Sequence, residues 1–276
     1  MSHPHEKKLN DVAKLLKKSK RVLFITGAGI SADSGLPTYR GVGGLYNHNK
    51  TEEGYTIEEC LSGSMFRKRP EITWKHMVQL GLTIAQHQPN QAHHIIAQWE
   101  EEFRKQGRKV VVVTQNVDGY HRAAGSRNVY EFHGSFGTIY CTNCPWSENV
   151  QIDASLAERL EKLQESLPPR CPQCGEVIRP KVVLFEENLP LDEIEEFEYE
   201  FNGGRGFDLV FSIGTSAMFP YIYGPFLAAA SRGIATIDIN PVESDLSRSA
   251  RIHLPISAME AMVEINRRYQ ENQEQS

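Results

Sequence analysis

The sequence predicts an α/β protein built on a parallel, doubly wound sheet and interrupted by a small cysteine-bearing module. Three observations carry that expectation. The runs Val22-Leu23-Phe24-Ile25-Thr26, Val110-Val111-Val112-Val113-Thr114, Leu209-Val210-Phe211-Ser212-Ile213 and Ala235-Thr236-Ile237-Asp238-Ile239 are short and apolar on both faces. Strands of that kind need helices on both sides of the sheet. Segments of helical period alternate with them, which is the α/β pattern. Four of the five cysteines form two Cys-x-x-Cys pairs, Cys141/Cys144 and Cys171/Cys174, in a stretch where the alternation breaks.

In chain order, Leu9, Val12, Leu15 and Leu16 share one face of a helix expected over residues 6–19. The strand at 22–26 delivers a loop reading Gly27-Ala28-Gly29-Ile30-Ser31-Ala32-Asp33-Ser34-Gly35-Leu36-Pro37-Thr38-Tyr39-Arg40. Residues 41–85 read as a mixed, partly helical stretch with no strong strand. Ala92, Ile95, Ile96, Trp99 and Phe103 then mark a helix that leads into the strand at 110–114. The cysteine region, about 139–182, contains a helix expected over 156–167. A further helix, 223–232, joins the last two strands. The polar end, 270–276, is expected to fray.

A chain of 276 residues can bury the core of one large domain carrying a small inserted module. The net charge of -5 argues against a nucleic-acid-binding surface. The first eight residues are polar, with no apolar segment of a secretory signal behind them. No apolar run approaches the roughly 18 residues that span a bilayer. An intracellular, cytoplasmic location is therefore expected, where paired cysteines read as a metal site rather than as disulfides.

Each strand ends in polar residues. Thr26 opens the glycine loop, Thr114 opens Gln115-Asn116-Val117-Asp118, Ile213 opens Gly214-Thr215-Ser216, and Ile239 opens Asn240. Ligands of open α/β sheets sit outside the carboxyl ends of the strands, so these four ends are expected to converge on one crevice. Glycines in the first loop allow backbone N–H groups to approach a pyrophosphate. The usual dinucleotide fingerprint places its third glycine three residues after the second. Here Gly35 follows Gly29 by six, and Ser31, Asp33, Ser34 and Arg40 add more polar groups than a simple cradle needs. The loop points to a dinucleotide used for something other than hydride transfer. Without a ligand it would serve as a tight strand-to-helix turn.

The amides of Gln115 and Asn116 match a carboxamide such as that of nicotinamide, since each offers a donor and an acceptor. Asp118 offers an acceptor to the same group, although Asn116 or Asp118 would equally serve as a helix N-cap. His133, in Glu131-Phe132-His133-Gly134, is a natural general base for a sugar hydroxyl. Four thiolates, Cys141, Cys144, Cys171 and Cys174, make a closed tetrahedral zinc site with no open catalytic position. Cys60 reads as a core thiol.

Together, Gly-Ala-Gly-Ile-Ser-Ala-x-Ser-Gly at 27–35, Thr-Gln-Asn-Val-Asp at 114–118, Glu-Phe-His-Gly at 131–134, Gly214-Thr215-Ser216 and the cysteine pairs resemble the sirtuin family. These are NAD-dependent protein lysine deacylases, and the resemblance runs from about residue 20 to 260. It implies a Rossmann-like NAD-binding domain of residues 1–40, 86–138 and 183–276, a helical module of 41–85 and a zinc-binding module of 139–182. Ala28, Asp33, Tyr39, Arg40, Gln115, Asn116 and Asp118 would surround the ribose and nicotinamide of NAD. Gly27, Gly29 and Ser31 of the same loop would also bind it. Gly214, Thr215, Ser216 and Asn240 would hold the adenosine side. His133 would be the catalytic base, with Asn116 also catalytic. The family's acyl oxygen attacks C1′ of the nicotinamide ribose and displaces nicotinamide. The base then frees the 2′-oxygen to attack the acyl carbon, leaving free lysine and O-acyl-ADP-ribose.

Three departures from the family pattern carry expectations of their own. Phe185-Glu186-Glu187 stands where the family has Phe-Gly-Glu, so Glu186 adds bulk and charge beside the peptide-pairing segment. After Gly214-Thr215-Ser216 the chain reads Ala217-Met218-Phe219-Pro220, with the proline one residue early. Trp74 is followed by Lys75-His76-Met77-Val78-Gln79-Leu80, without the Tyr-x-x-Arg of relatives that remove acidic acyl groups. Met77 and Leu80 would line an apolar pocket for an uncharged acyl group. Two other functions share these features: protein mono-ADP-ribosyl transfer, and a non-catalytic NAD-sensing zinc module.

Overall fold

A strand with no polar face has one stable place, the middle of a covered sheet, and that is where the segment after the first helix lies. The computed structural model describes residues 3–38, 50–202, 206–216 and 218–274. Helix α1 (Glu6–Lys18) precedes β1 (Arg21–Thr26), whose loop turns into the short α2 (Gly29–Ala32). Helices α3 (Ile57–Cys60), α4 (Gly63–Lys68) and α5 (Pro70–Ala85) lead to α6 (Gln91–Lys105) and β2 (Lys109–Thr114). Next come α7 (Tyr120–Ala123), β3 (Val129–Glu131), β4 (Gly134–Cys141), β5 (Ser147–Asn149), α8 (Ala154–Leu163) and β6 (Ile178–Val182). The chain continues through α9 (Leu191–Asn202), β7 (Leu209–Ile213), α10 (Pro220–Ser231) and β8 (Ala235–Ile239). It closes with α11 (Asp245–Ser249), β9 (Ile252–Leu254) and α12 (Ala258–Glu274).

The main sheet has six strands in the order β3-β2-β1-β7-β8-β9, every pairing parallel. Strand order reverses between β1 and β7. That reversal opens a crevice at the carboxyl end, because the connections leave β1 and β7 in opposite directions. Side chains alternate across the sheet. Phe24, Val112 and Phe211 belong to one core with Leu9, Trp99 and Ile265 from α1, α6 and α12. Leu23, Val111 and Val210 belong to the other, with Phe197 of α9 and Phe226 of α10. Phe24 stacks on Phe211 at 4.7 Å between centroids, locking β1 to β7 beneath the crevice.

A second, three-stranded antiparallel sheet, β5-β4-β6, carries the cysteines. It is fastened to the helical stretch by Trp74 Nε1, which donates to the Ile178 carbonyl at 2.9 Å. Leu156 and Leu160 of α8 share an apolar cluster with Trp74, Met77 and Val78 of α5. No helix among the described residues is long and apolar enough to cross a membrane.

Several elements differ from the sequence expectations. Strands β3 and β9 extend the four expected strands to six, and at three residues each they are too short to show a period. Helix α8 starts at Ala154, where Asp153 Oδ1 accepts from the Ser155 amide at 2.8 Å, and stops at Leu163 rather than 167. Helix α10 starts at Pro220 rather than 223, with the proline at a first-turn position that needs no N–H. The end of the chain does not fray at residue 270: α12 continues to Glu274. Tyr269 is fully buried edge-on to Trp99, Gln273 donates to its hydroxyl at 2.8 Å, and Lys17 Nζ donates to the Asn272 carbonyl. These tertiary anchors hold a polar segment that its own composition would leave loose.

Candidate active site at the strand ends

The four strand ends meet. Gly27 N donates to Ile213 O at 3.1 Å and Gly29 N to Gly214 O at 2.8 Å, joining the β1 and β7 loops across the point of strand reversal. Gly214 adopts φ +59°, and a Cβ there would lie 2.4 Å from the Gly29 carbonyl carbon. Only glycine allows that approach. The glycines of the first loop therefore serve a loop-to-loop contact. The amides of Gly27 and Gly29, expected as phosphate donors, are committed to β7-side carbonyls. From β2, Gln115 Nε2 donates to Thr215 Oγ1 at 2.6 Å, and from β8, Asn240 Nδ2 donates to Thr215 O at 3.0 Å. Thr215 is buried and Ser216 exposed.

Asn116 is buried, and its Nδ2 donates to Gly27 O at 3.1 Å. A carbonyl can only accept, so this bond fixes the amide orientation and leaves Oδ1 as the buried atom without a partner among the described residues. Asp118 beside it accepts from Ser31 Oγ at 2.7 Å and from Tyr120 N at 2.9 Å, while Gly119 takes the N-cap position of α7. Burial raises the Asp118 carboxyl above its ordinary value, against the pull of those two donors. Ala28, Ser31, Asn116 and Asp118 line a pocket together with the apolar side chains of Leu36, Leu80 and Ile84. Amide, carboxylate and apolar side chains together are the lining chemistry that a flat ring bearing a carboxamide calls for. Its N–H would satisfy the orphaned Asn116 Oδ1, which would otherwise carry a desolvation cost of about 1–3 kcal/mol.

His133 follows β3 and is half-buried. Burial lowers its pKa from the ordinary value, opposed by a hydrogen bond with the Gln115 backbone. Its Nε2 meets the Tyr221 hydroxyl at 2.8 Å. Two further histidines, His93 of α6 and His121 of α7, lie beneath the glycine loop. His93 Nε2 is 3.4 Å from Ser31 Oγ, and His121 Nε2 is 2.9 Å from Thr26 Oγ1. Burial holds His93 well below its usual range and brings His121 down to about 3, so both stay neutral.

Other expected residues lie elsewhere. Asp33 is exposed, and its Oδ2 accepts from Met259 N at 2.9 Å at the start of α12. Tyr39, Arg40 and Ala217 lie outside the described residues. Leu80 lines the pocket that Asn116 and Asp118 share, whereas Met77 is buried in the core cluster with Trp74. The pair thus does not form one apolar acyl pocket. Glu186 adopts φ +69°, the conformation that glycine favours, and its carboxylate turns to α4, accepting from Ser64 N at 3.2 Å. Its neighbour Glu187 binds Arg179 through both carboxylate oxygens, at 2.7 and 3.0 Å. Cys60 is fully buried, as a core thiol should be.

The sulfurs of Cys141, Cys144, Cys171 and Cys174 all lie within 4.8 Å of one another. That spacing and an all-thiol donor set suit tetrahedral zinc. Burial would raise the Cys141 thiol, but amides of Asn143 and Cys144 aimed at its sulfur lower it overall.

The model of the Sir2 family matches residues 27–219. The chain is 43% identical over 256 residues to NAD-dependent protein deacylase 2 of Pseudomonas aeruginosa, covering 92% of this chain and 94% of that one. It is 44% identical over 255 residues to the protein of the same name from Pseudomonas syringae pv. tomato, covering 92% and 97%. Among solved structures, a Sir2 homologue in complex with NAD superposes with a TM-score of 0.77 at 36% identity, covering 98% of this chain and 96% of that one. An ADP-ribose complex of a mutant Sir2 homologue superposes with a TM-score of 0.79 at 34% identity, covering 96% and 98%.

Proposed function

We infer the residue roles from one premise: this chain belongs to the Sir2 family and acts as an NAD-dependent protein deacylase. NAD, when bound, supplies the ribose carbon that takes the acyl oxygen as nicotinamide leaves. The observation that carries the assignment is the buried, unpartnered Asn116 Oδ1, on a residue that lines a pocket with Leu36, Leu80 and Ile84 at the strand-reversal crevice. Asn116 and Asp118 would hold the carboxamide. Ala28 and Ser31 would border the ribose, and Gly214, Thr215, Ser216 and Asn240 the adenosine side. His133 would take a proton from a ribose hydroxyl at Nε2, a step suited to a ring that burial keeps neutral.

The protein substrate would enter beside residues 183–187, between the small sheet and the helical stretch. An uncharged acyl group is favoured, because Lys75 beside Trp74 is already held by Glu52 at 2.9 Å and Glu53 at 2.6 Å. A cation so neutralised offers little to an acidic acyl chain. The four-thiolate cluster suits a reducing compartment, in keeping with action in the cytoplasm.

Mass spectrometry of the protein incubated with NAD and an acetyl-lysine peptide tests the assignment. Free lysine peptide, nicotinamide and O-acetyl-ADP-ribose should form together, and His133→Ala should abolish them while NAD binding persists. Normal turnover by that variant would remove His133 from the role. Nicotinamide release with the peptide still acetylated would point instead to ADP-ribosyl transfer.

A further inference from the structure

The segment that is one residue short, Ala217 to Pro220, ends as the first turn of α10, and its consequence lies at the base. Pro220 takes the first position of that helix and Tyr221 follows it. The Tyr221 hydroxyl is 2.8 Å from His133 Nε2. Phe219 stacks on the Tyr221 ring, centroids 5.4 Å apart at 13°, and stands edge-on to the His133 ring at 6.1 Å. Phe132 tilts against the same tyrosine at 6.3 Å. Aromatic contacts on two sides thus hold the Tyr221 ring in place.

We propose that Tyr221 is a positioning residue for His133: before NAD binds, its hydroxyl occupies Nε2, the atom that must face the ribose hydroxyl, and holds the ring in the tautomer that can act as a base. The proposal rests on His133 being the base. A base needs its lone pair at the nitrogen that meets the ribose, so a Tyr221 hydroxyl that donates to Nε2 places the ring N–H on Nδ1. Burial raises the Tyr221 pKa, so the hydroxyl keeps its proton. When NAD arrives, one hydroxyl donor replaces another at the same nitrogen, and the base needs no new tautomer or ring rotation.

The electrostatic consequence has a definite sign. A hydroxyl donating to the lone pair stabilises the neutral ring, so removing it makes protonation easier and raises the His133 pKa. Charged groups on the surrounding elements are otherwise engaged or exposed. Glu131 on β3 binds Arg122 at 3.1 Å, Glu193 on α9 accepts from the Glu131 amide at 3.1 Å, and Lys181 on β6 is exposed.

The test is Tyr221→Phe in the full chain, which keeps the ring and its stacking on Phe219 and deletes only the hydroxyl. An NMR titration of the imidazoles, with His133 assigned by the signal missing from His133→Ala, should show the His133 pKa rising by about 0.5–1 unit, the worth of one neutral hydrogen bond. The acid limb of kcat/KM for NAD should move up with it, so the variant's loss relative to pH 8.5 grows as pH falls and approaches about 3- to 10-fold below both pKa values. An unmoved His133 pKa overturns the proposal, and so does a loss of equal size at every pH. Should His133→Ala turn over normally, the base assignment fails, while the NMR shift still decides whether Tyr221 holds the ring.

Discussion

Glu186 shows what a single residue can store. Among the described residues it is the one non-glycine with positive φ, at +69°. A side chain there crowds the following carbonyl at a cost of about 1–2 kcal/mol. The hydrogen bond from Ser64 N to its carboxylate offsets part of that cost. Glu186→Gly and Glu186→Ala both delete the carboxylate, but only glycine relieves the backbone. After the larger entropy lost on fixing a glycine, Glu186→Gly should remain about 1 kcal/mol more stable than Glu186→Ala in urea denaturation. Equal stabilities would mean the position is not strained. The sequence marks this residue because a glycine is expected there, and it marks Asn116, Asp118 and His133 because their types suit the chemistry. It is silent on Tyr221, which reaches His133 across 88 positions, and it marks Asp33 for NAD with no sign that the carboxylate serves a helix 226 residues away. Such contacts are products of the fold and have no local signature.

At the scale of elements, legibility follows burial. Strands β1, β2, β7 and β8 are apolar on both faces, so their sequences leave one interpretation, and all four lie side by side with β1 and β7 at the centre of the sheet. Strand β9 and the last turn of α12 are specified by neighbours instead. So is the segment linking β6 to α9, where Arg179 acts as a clamp. Its guanidinium is buried over the Phe66 ring, bonds the Val182 carbonyl and grips Glu187 through two contacts. Burial would raise the Glu187 carboxyl, but Arg179 and the Leu184 amide hold it below its usual value. A carboxylate lowered in the fold adds stability above its unfolded pKa, and that stability is lost as pH falls through the folded value. Glu187→Ala leaves Arg179 buried and unpaired, so it should cost about 3 kcal/mol at pH 7. The gap to wild type should begin to narrow as pH falls through the ordinary Glu value of about 4.3 and close only as pH falls through the lowered native value. Denaturation curves of both proteins across pH 3–7 check this, and a gap that stays constant with pH would show that the charge is not what matters.

Over the whole molecule, two bodies of unequal strength meet at residues 183–187, the proposed substrate segment. The six-stranded sheet has a continuous core on each face, from Leu9 to Tyr269 on one and from Leu23 to Leu246 on the other. The small sheet relies on a cluster of Ile139, Cys141, Cys171 and Ile178. A core that small does not offset the entropy of ordering its strands, so the free energy of zinc binding must supply the difference. The same sheet holds Arg179 against Glu187 and presents the Ile178 carbonyl to Trp74. Losing the metal should therefore loosen residues 183–187 along with the sheet, and with them the path of the substrate. Chelation should release about one zinc per chain and abolish deacylation. Hydrogen exchange should then rise across residues 134–187 and stay unchanged in β1, β2, β7 and β8, where the crevice is built on cores that owe nothing to the metal. Zinc release with protection intact across 134–187 would falsify this dependence. Exchange rising equally in the large sheet would instead make the two bodies a single cooperative unit.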